Sequence, residues 1–269
     1  MNKKAAQFVE TVWEYYAQSG RHQLPWRQTQ NPYHILVSEL MLQQTQVERV
    51  IPKYEAFIQQ WPTVQALASA PQSAVVIAWQ GLGYNRRARF LHQCAQVIVT
   101  KYAGVFPLTR KELEALPGIG PYTAGALLAF AQNAPVILIE TNVRRVYLHH
   151  FFPTKDSVPD ADIYPYIEQT LPPQRAREWY SALMDYGTYL KKTVSNPNQR
   201  SRHYSKQSTF KGSDREIRGA ILKALTGSNL SILKLKQLLS ELEGERIEPQ
   251  LQALLKEGLV RQIGNGYSL

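Results

Sequence analysis

One cysteine, Cys94, is all the thiol chemistry in a chain of 269 residues. A lone thiol excludes a disulfide framework, a zinc finger built on cysteine pairs and an iron–sulfur cluster held by four thiolates. No apolar run approaches the ~18 residues of a membrane span. Met1-Asn2-Lys3-Lys4 leads straight into an amphipathic segment rather than a cleaved leader. A soluble, intracellular protein is expected. Strand-like content is scarce before residue 258, where only Pro135-Val136-Ile137-Leu138-Ile139 qualifies. Acidic residues are missing from one whole stretch. Residues 190–212 hold Lys191, Lys192, Arg200, Arg202, Lys206 and Lys211 with no Asp or Glu, and so carry +6 of the net +10. Such a basic, aromatic-containing block reads as a phosphate-binding arm, the bland alternative being a solvated linker.

What is present is a helical period. With 44% hydrophobic and 19% charged residues the chain is globular and can bury a sizeable core. Apolar residues recur at three and four through Val9–Tyr16 and Ile35–Ile58. Further helices are predicted over 73–80, 86–101, 109–115, 121–132, 141–151, 161–169 and 175–190, separated by Pro and Gly turns. Residues 1–189 therefore read as all-α, 190–212 as a connector, and 213–269 as a small appended domain. There Ser213-Asp214 caps a helix to about Ala224, a second helix follows Ser231, and a third covers about 248–257. The alternation around Asn265-Gly266 predicts a terminal hairpin, so the domain is winged-helix-like.

Leu116-Pro117-Gly118-Ile119-Gly120-Pro121-Tyr122 joins two of these helices. Two glycines two apart allow a tight turn with exposed N–H groups, and Pro121 suits a first helical turn. Amides there can hold a phosphate, with Gly118 and Gly120 leaving its approach open. By itself the run is also an ordinary interhelical turn. With its context, it resembles the helix-hairpin-helix of the base-excision DNA glycosylase superfamily that includes endonuclease III. Other blocks resemble that superfamily's adenine-specific mismatch glycosylases, the MutY family. They are Leu24-Pro25-Trp26-Arg27, Val37-Ser38-Glu39-Leu40-Met41-Leu42-Gln43-Gln44-Thr45, Trp79-Gln80-Gly81-Leu82-Gly83-Tyr84 and Asn142-Val143-Arg144-Arg145-Val146. The resemblance spans roughly residues 20–190. It implies a two-lobed helical fold, with a six-helix lobe over about 27–134 and a second lobe from 1–26 plus 135–189.

It also implies chemistry. Cleaving an N-glycosidic bond needs one carboxyl group to protonate the leaving base and one carboxylate to stabilise an oxocarbenium-like sugar. Glu39 matches the family's catalytic Glu, and a carboxyl buried in the apolar stretch Ile35–Leu42 would start protonated. The second carboxylate is an Asp in the family; here Glu140 stands there, one methylene longer. Catalysis is the favoured role, the bland alternative being that Glu140 only serves the helix that follows through the electrostatics of its N-terminus. Tyr122 occupies the position where bifunctional members carry a Schiff-base Lys. A monofunctional enzyme is implied, with Tyr122 holding sugar or water, or simply packing.

For a base flipped out of duplex DNA, Gln44 matches the stack-filling residue and Tyr84 the aromatic wedge, with Gln43, Thr45, Leu82 and Arg27 on the DNA side. Trp26, Ser181 and Met184 match the base pocket, although many relatives have Gln or Glu at the Ser181 position. Backbone carbonyls of Glu114, Leu116 and Ile119 match those holding a monovalent cation, Na or K. No other cofactor is implied, because the Cys-free segment with Arg200, Arg202 and Lys206 replaces the usual iron–sulfur loop. The expected partner is double-stranded DNA with a mismatch or lesion, engaged by a monomer in the cytoplasm of a prokaryote. Adenine opposite guanine or 8-oxoguanine is the implied substrate. Thymine or uracil opposite guanine, or DNA binding without catalysis, remain the alternatives.

Overall fold

The computed structural model describes residues 2–206 and 209–269, and these fold as two compact units, each discontinuous in sequence. The first comprises Met1–Leu36, Pro107–Ala115 and Ile119–Lys206; the second comprises Val37–Phe106, Leu116–Gly118 and Gln207–Leu269.

In the first unit, α1 (Lys3–Ser19) begins at Asn2, whose side chain accepts the Ala5 amide. It buries Phe8 and Val12 against α9 (Thr141–Phe151), α10 (Asp160–Thr170) and α11 (Ala176–Thr193). α7 (Arg110–Glu114) and α8 (Pro121–Gln132) belong here too. The small residues Ala126 and Ala129 of α8 share one core with Val146, Leu183 and Trp179. Phe8 lies edge-on to Trp179 and Phe151, so the core is aromatic as well as aliphatic. The apolar run at 135–139 forms no strand. It is pinned by one side chain instead: Tyr180 Oη donates to the Val136 carbonyl and accepts the Leu138 amide, at 2.7 and 2.9 Å.

The second unit holds α3 (Val47–Gln60), α4 (Val64–Ala68), α5 (Gln72–Ala78) and α6 (Arg86–Tyr102). α2 (Pro32–Leu42) runs across the division at residue 36. Pro32 opens it, Asn31 Oδ1 accepts the Tyr33 amide, and Ile35, Leu36, Val37, Leu40 and Met41 are all buried. Residues 213–269 join this unit rather than standing apart. α12 (Asp214–Ala224), α13 (Ile232–Leu238) and α14 (Gly244–Lys256) enclose Ile221, Leu235, Leu251 and Leu254, and Val76 of α5 completes that core. Gln72 and Gln80 reach across to the Gly258 and Leu222 carbonyls.

The terminal hairpin pairs β1 (Arg261–Ile263) with β2 (Gly266–Ser268), as three helices and a wing require. Its turn is Gly264-Asn265, not Asn265-Gly266, because Ile263 pairs directly with Gly266. Gly264 takes φ +59° at the first central position, the place for which a type II′ turn selects glycine.

The basic segment departs from expectation in two ways. Lys191 and Lys192 extend α11, and 197–200 forms a 3-10 turn with Pro197 and Asn198 buried. Val158 bridges to Ser201, and Asn198 Nδ2 donates to the Thr141 carbonyl. Residues 197–201 are therefore packed, whereas 202–206 are exposed. Among the described residues no helix is long and apolar enough to cross a membrane.

Candidate functional site

Glu39 lies on α2 and is only 7% exposed, between the fully buried Ser38 and Leu40. The helix is apolar on every side, so a carboxyl group on it enters the interior whichever way it faces.

The loops after α2 and before α6 carry the two residues expected to enter DNA. Gln44 and Tyr84 adopt φ +56° and +47°, left-handed values that cost energy in non-glycine residues. Arg87, only 7% exposed on α6, holds both loops. Its Nη1 donates to the carbonyls of Leu40, Met41 and Gln43, and its Nη2 to those of Leu82 and Gly83 and to Thr45 Oγ1. Burial lowers its pKa to about 10, still far above neutrality, so the charge persists. Sequence reasoning passed over Arg87 as a site residue. The signal was there: it shares the buried helical face of Leu91, Cys94 and Ile98, where a guanidinium must have many partners. Thr45 Oγ1 adds a bond to the Leu82 carbonyl at 3.3 Å. Leu82 itself, expected on the DNA side, has its side chain inside at 4% exposure; only its backbone serves the loop.

Gln43, Gln44 and Tyr84 line a cavity of about 450 Å³ in this unit, with Arg86, Arg87 and Gly118 among the other walls. Gly118 is fixed twice. Its φ is +74°, and a Cβ there would come within 2.5 Å of Phe90 Cβ. Gly120 caps α8 with open space where its side chain would be. Leu116 and Ile119 are buried and the two glycines are exposed, so the hairpin presents its backbone outward.

In the first unit, Glu140 is the N-cap of α9. Oε1 accepts the amides of Asn142 and Val143 at 2.7 and 2.8 Å, while Oε2 meets Asn142 Nδ2 at 3.4 Å. Despite its extra methylene, the side chain folds back over its own helix start. Burial raises its pKa above the usual glutamate value, against the pull of those two amides and of Arg145 and Arg144. Tyr122, on the first turn of α8, packs partly buried against the aromatic core.

Arg27, expected on DNA, is turned inward. Its two terminal nitrogens bind Asp185 at 2.7 and 2.9 Å, and Nη2 also reaches the Ser181 carbonyl. Asp185 is fully enclosed and takes Arg21 as well. Burial would raise the Asp185 pKa, but Arg27 and Arg21 outweigh it and hold the carboxyl below its usual value. Arg27 and Ser181 line a cavity of about 730 Å³ with Trp13, Tyr16 and Arg177. Trp26 is buried and Met184 half-buried, and neither lines that cavity. Arg200 is also turned inward, its Nη2 donating to the Leu148 carbonyl near the end of α9 at 3.1 Å. Arg202 and Lys206 are exposed. Among the described residues no three His, Cys, Asp or Glu side chains are placed to hold a metal ion.

Residues 37–164 match the family described as HhH-GPD superfamily base excision DNA repair protein. An adenine DNA glycosylase of Mycolicibacterium smegmatis is 36% identical over 92% of this chain and 90% of its own length. One from Mycobacterium tuberculosis is 33% identical over 93% and 89%. A solved thermostable thymine-DNA glycosylase superposes with TM-score 0.62 at 28% identity, covering 69% of this chain and 87% of the other. A helical scaffold shared with a solved glycosylase and an identity sustained across nearly the full length place the chain in the HhH-GPD superfamily of base excision DNA repair proteins.

Proposed function

We propose that this chain is a base-excision DNA glycosylase that turns adenine out of the duplex and hydrolyses its N-glycosidic bond, with guanine or 8-oxoguanine opposite. The observation that carries the reading is the 36% identity to an adenine DNA glycosylase over 92% of the chain. Glu39 protonates the leaving base and then orients water, and its burial suits a group that must hand over a proton. Glu140 stabilises the sugar cation with the oxygen that its helix amides leave less engaged. Tyr122 carries no amine, so no Schiff base forms and the abasic strand stays intact.

Gln44 and Tyr84 fill the space the base vacates. The exposed amides about Gly118 and Gly120 hold a phosphate, and carbonyls of Glu114, Leu116 and Ile119 are the candidate holders of a monovalent cation beside it. Trp26, Ser181 and Met184 are the candidate base pocket, with Ser181 giving a single hydroxyl in place of a longer amide or acid. We take residues 1–189 as the glycosylase domain, acting as a monomer on double-stranded DNA.

The test uses end-labelled duplexes with adenine opposite guanine, 8-oxoguanine or cytosine, and with thymine or uracil opposite guanine. Alkali after incubation is expected to break the strand at adenine opposite guanine and 8-oxoguanine. Breakage at thymine or uracil alone would move the substrate to those bases. Breakage without alkali, or a borohydride-trapped adduct, would reject the monofunctional mechanism. No breakage anywhere would leave a DNA-binding protein.

A further inference from the structure

The C-terminal helices are not a remote appendage of the second unit. Val76 of α5 lies in their core, and Gln80 Nε2 donates to the Leu222 carbonyl and to Thr226 Oγ1. Glu257, at the end of α14, gathers Arg218 at 2.5 Å and Arg86 at 3.8 Å, and its carbonyl accepts Arg89. These contacts hold the C-terminal helices against α5 and α6 of the same unit.

That position has a consequence at Tyr84. The Arg215 guanidinium of α12 lies 5.3 Å from the Tyr84 ring centroid, and Arg87 lies 5.5 Å from the same ring. Both are within cation–π range. The tyrosine they hold is the one at φ +47°, a backbone value that needs such support to persist. Arg215 and Arg218 also wall the 450 Å³ cavity that Gln43, Gln44, Tyr84 and Arg86 line. With Arg87 the cavity has four guanidiniums and a single acid, Glu257. Its volume falls in the range of roughly 300–1,000 Å³ usual for small-ligand sites, enough for one nucleotide.

We propose that the C-terminal domain is a working part of the DNA-reading surface: Arg215 positions Tyr84 and, with Arg86 and Arg218, lines with positive charge a cavity that takes a nucleotide of the strand facing the extruded base. The inference rests on Gln44 and Tyr84 being the residues that enter the duplex. It adds that their geometry depends on a helix outside the glycosylase domain. Arg87 is enclosed by loop carbonyls; Arg215, one of whose terminal nitrogens also donates to the Thr209 carbonyl at 3.2 Å, is the α12 cation that touches the ring and walls the cavity.

The test measures binding rather than turnover, with the full-length protein. The probe is a duplex carrying a tetrahydrofuran abasic analogue opposite 2-aminopurine, whose fluorescence rises when a wedge unstacks it. Arg215→Ala is expected to weaken binding roughly threefold to thirtyfold and to lower the salt slope by about 0.9. It should also remove most of the fluorescence rise. Arg215→Lys should restore the slope but only part of the fluorescence, because a compact ammonium cannot cover the ring as a planar guanidinium does. Wild-type fluorescence, affinity and slope in both variants would overturn the proposal while leaving the glycosylase reading intact. If the wild-type protein does not prefer the abasic duplex to a matched one, the glycosylase reading itself falls.

Discussion

Glu39 and Glu140 divide the chemistry by environment. Glu39→Gln removes the transferable proton and keeps the shape, so excision of adenine should vanish while mismatch binding stays near normal. Single-turnover excision and band-shift titration on the same duplex check this, and near-normal turnover would take Glu39 out of the mechanism. Glu140 must be ionised to face a cation, and its raised pKa means that it loses charge at a higher pH than an ordinary glutamate. The acid side of the excision profile should therefore lie above the usual carboxylate range. Glu140→Gln retains an oxygen for the Asn142 and Val143 amides, so its melting temperature should hold while excision falls by about 10²-fold or more. A variant with wild-type rate would leave Glu140 as a helix cap only.

At the scale of elements, the decisive contact is Arg87 of α6 with the two loops that flank it. Six carbonyls and one hydroxyl converge on one guanidinium, which sets the end of α2 and the turn before α6 together. Arg87→Ala leaves several of those oxygens buried without a donor and should destabilise the protein by on the order of 3 kcal/mol. Arg87→Lys keeps the charge but cannot reach both loops, so it should recover only part of the stability and little of the DNA affinity. Denaturant titration together with duplex binding separates these effects. Equal stability in wild type and Arg87→Ala would show that the loops hold themselves.

Two properties belong to the whole molecule. The first is acid sensitivity. Burial, then His149 and Lys4, lower the His150 pKa from 6.5 to about 4. Its ring meets the Tyr186 hydroxyl at 3.1 Å and the edge of Phe8. Between pH 6.5 and 4 the unfolded chain takes up a proton that the folded one refuses, so stability present above 6.5 is lost as pH falls through that window. His150→Gln should flatten the change in denaturation midpoint between pH 7 and 5; an undiminished change would assign the acid response elsewhere. The second property is the net charge of +10. Arg202 and Lys206 are exposed and Arg200 is not free to reach a phosphate. Replacing the exposed pair by Ala should lower the slope of log affinity against log salt by roughly 1.8 on matched and mismatched duplexes alike. Arg200→Ala should instead lower stability. A slope that does not move with the pair would make the segment a support for α9 and nothing more.

Because apolar periodicity and Pro or Gly punctuation are local, the sequence by itself determined most of the helices and their order, though not α4 (Val64–Ala68). α6, α8 and α9 lie within a residue of their predicted limits. Local order also exposed the hairpin glycines, the terminal wing and the motif that carries Glu39. Where a charged side chain turns is not local. Arg27, Arg87 and Arg200 look alike as cations in a basic chain, yet Asp185, a ring of loop carbonyls and the end of α9 each claim one. Val76, Gln72 and Gln80 merge residues 213–269 with the middle helices, a pairing no spacing along the chain encodes. Glu140 caps α9 as a shorter acid would, its carboxylate accepting the amides two and three residues on. Only the tertiary structure decided where the three arginines and the C-terminal helices sit, since each found desolvated partners distant in sequence.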